Sequence, residues 1–185
     1  MANGTCALHI GLIVSDVTQD TEVITQPLTF IATCNAIKYV GAHPVFVDVD
    51  VNTMGMCPKA LEKFLQHNTE IRNNVCYNKK TNRRISACVP MHVFGHACDI
   101  EKILDVCSTY RIPLIEDAAE AAGSYYKNKH LGTFGQIGML SFNGNKTITC
   151  GGGGALLTDN TELANKARHL STTARISDGH EFVHD

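Results

Sequence analysis

The sequence predicts an α/β fold, a mainly parallel sheet with helices on both faces. Three observations predict it. Short apolar runs of strand length alternate with stretches of helical periodicity along the whole chain. Polar groups cluster where those strands end, as they do in parallel sheets that bind ligands beyond their carboxyl edges. Finally, 185 residues with 44% hydrophobic and 18% charged content suffice for one domain with a sizeable core.

The elements follow in order. Asn3 suits a helix N-cap before the apolar pattern of Ala7, Leu8 and Leu12. The amides of Gly4 and Thr5 then point out of the helix start, where an anion such as phosphate binds, although an ordinary cap is the plainer reading. Glu22 to Thr25 reads as a strand ended by Pro27. A helix carries Phe30, Cys34 and Ile37 on one face and stops at Gly41. Pro44 to Val49 reads as the next strand, and Pro58 suits the first position of a helix with Leu61, Phe64 and Leu65 on its apolar side. Residues 70–84 turn polar and basic, with Arg72, Lys79, Lys80, Arg83 and Arg84. They read as a solvated hairpin or insertion, with a nucleotide-phosphate contact as the sharper alternative.

Ile85 to Pro90 forms a strand leading into His92-Val93-Phe94-Gly95, and Asp99 caps a helix with Ile103, Cys107 and Tyr110 on one face. Pro113 to Ile115 is a short buried strand that ends in Glu116 and Asp117. Residues 137–158 combine a buried strand (Ile137 to Phe142), a polar loop holding Lys146, the glycines Gly151 to Gly154 and a second apolar strand. The last helix runs from Thr161 to Leu170. No internal repeat interrupts this order.

Composition narrows the function classes. A net charge of −2 supplies no electrostatic attraction for nucleic acid or an anionic membrane. No apolar run reaches membrane-spanning length and no signal-peptide pattern opens the chain, so a cytoplasmic protein is expected. The eight cysteines lack CxxC or secreted-framework spacing and read as reduced, buried small hydrophobes. His92, His96 and Cys98 have no second ligand cluster, so no metal site is expected.

Two residues carry the chemistry. A lone lysine is usually a solvated charge, but Lys146 sits in a glycine-rich turn between two core strands. There an amine can be withheld from water and attack a carbonyl in its neutral form. An apolar strand delivers Asp117 into small alanines; it is either a helix cap or a buried carboxylate that needs a cation or several donors. A phosphate site, an acid for a ring N–H⁺ and an imine-forming lysine are the protein parts that pyridoxal 5'-phosphate (PLP) requires.

The stretches NGTCALHIGL (3–12), EVITQPLTFIATCNAI (22–37), GAHPVFVDVD (41–50), PMHVFGHACDI (90–100), EDAAEAAGSYYKNKHLGTFG (116–135) and SFNGNKTITCGGGGALLTD (141–159) resemble the DegT/DnrJ-type PLP-dependent nucleotide-sugar aminotransferases. The insertion at 70–84 and the FNGNK wording look most like the branch acting on UDP-linked N-acetylated 4-keto-6-deoxy sugars, toward legionaminic-type acids. The GDP-perosamine synthases look like near relatives. The resemblance implies a type I aminotransferase large domain over residues 1–185, without the family's N-terminal segment and C-terminal small domain. It makes Lys146 the Schiff-base lysine and general acid/base, and Asp117 the partner of the pyridinium nitrogen. Gly4, Thr5 and Ser141 would hold the phosphate, Phe30 would stack on the ring, and Glu120 would lie near the phenolic oxygen. GGGG stands where GEGG is more usual. The implied reaction moves an amino group from glutamate to a nucleotide-linked keto sugar in a homodimer. The short length keeps a catalytically incomplete fragment as the rival. A PLP-dependent sugar dehydratase, which carries histidine in place of the lysine, is opposed by Lys146.

Overall fold

The computed structural model describes residues 1–176 and residue 184. Its elements are α1 (Gly4–Val14), β1 (Glu22–Thr25), α2 (Ile31–Tyr39), β2 (His43–Phe46), α3 (Pro58–Asn68), β3 (Thr69–Arg72), β4 (Val75–Asn78), β5 (Ile85–Val89), α4 (Ile100–Thr109), β6 (Ile115–Asp117), β7 (Tyr125–Tyr126), β8 (Lys129–His130), β9 (Ile137–Ser141), β10 (Gly154–Leu157) and α5 (Thr161–Ser171). A 3-10 turn occupies Val93–Gly95.

β1 lies between β2 and β5 and is parallel to both. β9 lies between β6, to which it is parallel, and β10, to which it is antiparallel. Parallel bridges Cys88–Leu114 and Met91–Asp117 join the two halves. The sheet order is therefore β2-β1-β5-β6-β9-β10, parallel except at the β10 edge. One face is covered by α1, α2 and α5 through Leu8, Leu12, Ile37 and Ala167 packed on Val23, Val89, Ile115 and Ile137. The other is covered by α3 and α4 through Leu61, Leu65, Ile100 and Ile103 packed on Ile24, Cys88 and Leu114. This is the doubly covered α/β fold that the alternation of elements predicts.

Several expectations shift. β2 is His43–Phe46 rather than 44–49, because the ladder closes with the Val47 amide on the Thr25 carbonyl and the chain then leaves the edge. β6 starts two residues later than expected: Pro113 has no N–H and contributes only its carbonyl, to the Cys88 amide. Phe30 does not share the buried face of α2. It precedes the helix with extended backbone and is 66% exposed. Asp99 stands at the N-cap of α4 without a capping bond, because its carboxylate binds Lys102 (2.5 Å) and the Tyr126 hydroxyl (3.4 Å). Residues 69–78 form an antiparallel hairpin, in agreement with the hairpin reading, exposed at residues 70–74 but with Thr69, Cys76 and Asn78 buried. All eight cysteines are free, but Cys6 and Cys150 are exposed and only Cys76, Cys88, Cys98 and Cys107 are buried.

The strand period of two sends neighbouring carboxylates on β6 to opposite faces. Asp117 follows Ile115 toward α1 and α2. Glu116 turns the other way and is fully buried. Its Oε1 accepts the amides of Phe134 (2.6 Å) and Gly135 (2.7 Å), and its Oε2 accepts the amide of Gly132 (2.8 Å) and faces His92 Nε2 (3.1 Å). The Cys98 amide points at His92 Nδ1 (3.4 Å), so Nδ1 accepts and Nε2 carries the proton donated to Glu116. Burial pushes the Glu116 carboxyl up, but the His92 bond and the Gly135 and Gly132 amides outweigh it and leave the group below its ordinary value. A carboxylate of lowered pKa stabilises the fold above its unfolded value, and that stability is lost as pH falls through the lower folded value. Glu116→Ala strands three amides and an imidazole, and should cost about 3–5 kcal/mol in urea unfolding. The loss should narrow in acid; a variant as stable as the parent at neutral pH would remove Glu116 from this role.

Candidate active site

The carboxyl ends of β1, β5, β6 and β9 open on a cavity of about 520 Å³. Gly4, Thr5, Phe30, Asp117, Ser141 and Lys146 all line it, so residues far apart in the chain meet as the sequence reading anticipates. Glu120 stands at its side, paired with Lys146.

The start of α1 forms one wall. Asn3 caps it, with its side-chain oxygen accepting the Cys6 amide at 2.8 Å. Gly4 and Thr5 follow in the first turn, whose amides have no intrahelical acceptor and carry the positive end of the helix dipole. A Cβ on Gly4 would lie 2.7 Å from Ser141 Cβ and 3.0 Å from its Oγ, so glycine is required for α1 to approach the end of β9 this closely. The result is a cradle of backbone N–H groups beside a serine hydroxyl.

Asp117 lies deeper. Its Oδ2 accepts the Thr33 hydroxyl at 2.6 Å and its Oδ1 the Ala119 amide at 3.2 Å. Thr33 in turn bonds the Thr29 hydroxyl at 2.7 Å. Asp117 forms no ion pair among the described residues. Burial therefore raises its pKa despite the Thr33 and Ala119 bonds and the more distant charge of Lys146. It is a carboxylate provided with orientation but not with a counter-charge.

Lys146 rides on the loop between the antiparallel strands β9 and β10. Phe142 closes that loop: its amide donates to the Gly153 carbonyl (2.9 Å), and its own carbonyl accepts the Cys150 amide (3.1 Å). The Lys146 side chain is 13% exposed, with Nζ 3.1 Å from Glu120 Oε1 and 6.0 Å from the centroid of the Phe30 ring. Thus it is held against a carboxylate and an aromatic face rather than released to solvent.

Sequence reasoning did not find Thr33 or the Glu116 cluster. Thr33 stands 84 residues from its partner, and no local spacing announces that contact. Of the trio weighed as metal ligands, His92 is committed to Glu116, Cys98 is buried beside it and His96 is exposed. The basic hairpin joins the sheet at the amino ends of β1 and β5, where Asn78 and Thr81 bond Glu22. That end is opposite the cavity, so the nucleotide-phosphate reading of residues 70–84 is withdrawn.

The DegT/DnrJ/EryC1/StrS aminotransferase family matches residues 1–185. The chain belongs to this family. It is 40% identical over 170 residues to a GDP-perosamine synthase from Escherichia coli O157:H7, covering 92% of this chain and 42% of that protein. A family aminotransferase from Brucella abortus superposes with a TM-score of 0.86 at 31% identity, over 99% of this chain and 47% of its own. NtdA from Bacillus subtilis, solved with bound cofactor PMP, superposes with a TM-score of 0.77 at 27% identity, over all of this chain and 38% of its own. The chain thus spans less than half the length of each of these relatives. Aminotransferases of this family are PLP-dependent.

The residues present fit that cofactor. A buried carboxylate without a counter-charge suits a ring N–H⁺, the helix start suits a phosphate, and a withdrawn lysine lines the same cavity. A carboxyl of raised pKa adds stability below its unfolded value and loses it as pH rises through its folded value. The difference in melting temperature between cofactor-free parent and Asp117→Asn should therefore shift against the parent as pH rises through the mildly acidic range. A difference independent of pH would mean that Asp117 carries no such cost.

Proposed function

We propose that this chain is the cofactor-binding part of a PLP-dependent aminotransferase that moves an amino group, with glutamate as donor, to a nucleotide-linked 4-keto-6-deoxy sugar. The single observation behind this reading is the convergence of Lys146, Asp117 and the α1 start on one cavity. Membership of the family and the likeness to a GDP-perosamine synthase support the sugar class.

Gly4, Thr5 and Ser141 would hold the phosphate through amides, helix dipole and hydroxyl. Asp117, oriented by Thr33 and Ala119, would hold a proton on the ring nitrogen, and that charge would remove the penalty its burial now carries. Phe30 would cover one face of the ring. When bound, the cofactor supplies a carbonyl carbon for imine exchange and an electron sink for the carbanion. Lys146 Nζ serves as nucleophile and then as the base that moves the proton. Glu120 accepts from Nζ in the resting site and keeps it pointed inward, which deepens its expected part beside the phenolic oxygen.

We further place the whole protein in the cytoplasm as a homodimer. Free thiols suit a reducing compartment. The exposed apolar side chains of Leu28, Phe30 and Ile31, of which Phe30 lines the cavity, suit burial against a second subunit. No helix among the described residues is long and apolar enough to cross a membrane.

Two outcomes are expected. PLP added to the purified protein should give a yellow absorbance band, and borohydride should then fix the cofactor on the peptide containing Lys146. Lys146→Ala should lose that label and reduce amino transfer to background. A label on another lysine, in protein shown to be folded, would falsify the assignment.

A further inference from the structure

Lys146 has a second side. Next to the main cavity, and sharing Asn145 and Lys146 with it, Phe94, Glu120, Asn145, Lys146 and Thr147 line a smaller open space of about 140 Å³. None of the groups given to the cofactor except Lys146 and Glu120 touches it. Its wall is unusual, because Phe94 is a large apolar side chain that is 81% exposed.

The backbone forces that exposure. Phe94 sits in the left-handed region, with φ 50° and ψ 28°, where a bulky residue is disfavoured. It is held there from both sides. The Gly95 amide donates to the His92 carbonyl at 3.0 Å and the His96 amide to the Val93 carbonyl at 3.0 Å. His92 is itself fixed by buried Glu116. Gly95 also has positive φ (79°), and a Cβ there would lie 2.5 Å from the Glu120 carbonyl oxygen, so the turn is pressed against the backbone of the residue that pairs with Lys146. A strained turn braced in this way, presenting an aromatic ring to open space beside a reactive amine, is built to meet a ligand rather than to fill a core.

We propose that Phe94, with Asn145 and Thr147, forms the pyranose subsite of the acceptor sugar. This inference rests on the aminotransferase reading above. A 6-deoxyhexose offers a face of C–H groups and a methyl in place of a hydroxymethyl. That face suits a phenyl ring, which has no polar tip to desolvate. The sugar's remaining hydroxyls need donors and acceptors at the rim, which the Asn145 amide and the Thr147 hydroxyl provide. A ring seated there lies beside Lys146, the residue that must move a proton at the carbon bearing the new amine. Glutamate, which has no such apolar face, gains nothing from Phe94.

The test uses Phe94→Ala and Phe94→Tyr alongside the parent protein. Each is assayed in the two half-reactions separately, glutamate with the PLP form and a GDP- or UDP-linked 4-keto-6-deoxyhexose with the amino form. Calorimetric binding of the same nucleotide sugars supplies a readout independent of turnover. Phe94→Ala should weaken sugar binding and raise the sugar KM by about tenfold or more, the order expected for a lost apolar contact. The glutamate half-reaction should stay within a few-fold of the parent, and Phe94→Tyr should recover most of the sugar affinity. Equal losses in both half-reactions, an unchanged sugar affinity, or a change confined to oligomeric state in light scattering would each overturn the subsite. A parent that binds these sugars through Phe94 but never transaminates would leave the subsite standing and remove the aminotransferase reading. A parent that binds no such sugar overturns the subsite too.

Discussion

The carboxylate of Glu116 ties together three segments: its own strand β6, the turn leading into β9 and the residues that follow β5. It lies fully inside the protein, and its two oxygens gather the amides of Gly132, Phe134 and Gly135 and the imidazole of His92. A buried charge is tolerated only when its lost hydration is replaced by several well-aimed donors. Here the donors come from the turn leading into β9 and from the end of β5. The same interaction that satisfies Glu116 therefore fixes the entry to the lysine-bearing strand and the turn that presents Phe94. Remove the donors and the carboxylate must leave; remove the carboxylate and the amides have no partner.

Asp117, one residue later, shows the opposite treatment. It has one hydroxyl and one amide donor, and burial raises its pKa where Glu116 is lowered. The fold stabilises one carboxylate for its own cohesion and leaves the adjacent one short of charge, facing a cavity. Such a contrast between neighbours marks where structure ends and ligand chemistry begins.

Much of the site was legible in the sequence, for a physical reason in each case. Asn3-Gly4-Thr5 before an apolar helix is a local signal of a capped helix start, and capping involves residues within one turn. Lys146 between a core strand and a glycine run is likewise local. Phe30 shows the limit: helical periodicity assigned it to a buried face, but periodicity cannot tell whether a residue lies just inside the helix or just before it. The polar stretch at 70–84 was legible as a hairpin. Its distance from the cavity was not, because that depends on which end of the sheet the hairpin joins.

The sequence by itself determined the α/β class, the order of most elements and the residue types available for chemistry, because strand and helix periodicities and cap residues act over a few positions. The tertiary structure alone decided which of those residues meet. It brought Thr33 to Asp117 across 84 residues, and it set Glu120 against Lys146. It also sorted two adjacent acids into a structural hub and a carboxylate that faces the cavity with no ion pair among the described residues. Those outcomes depend on burial and on donors supplied by distant segments, and the free energy of a buried charge is not a property of the residue that carries it.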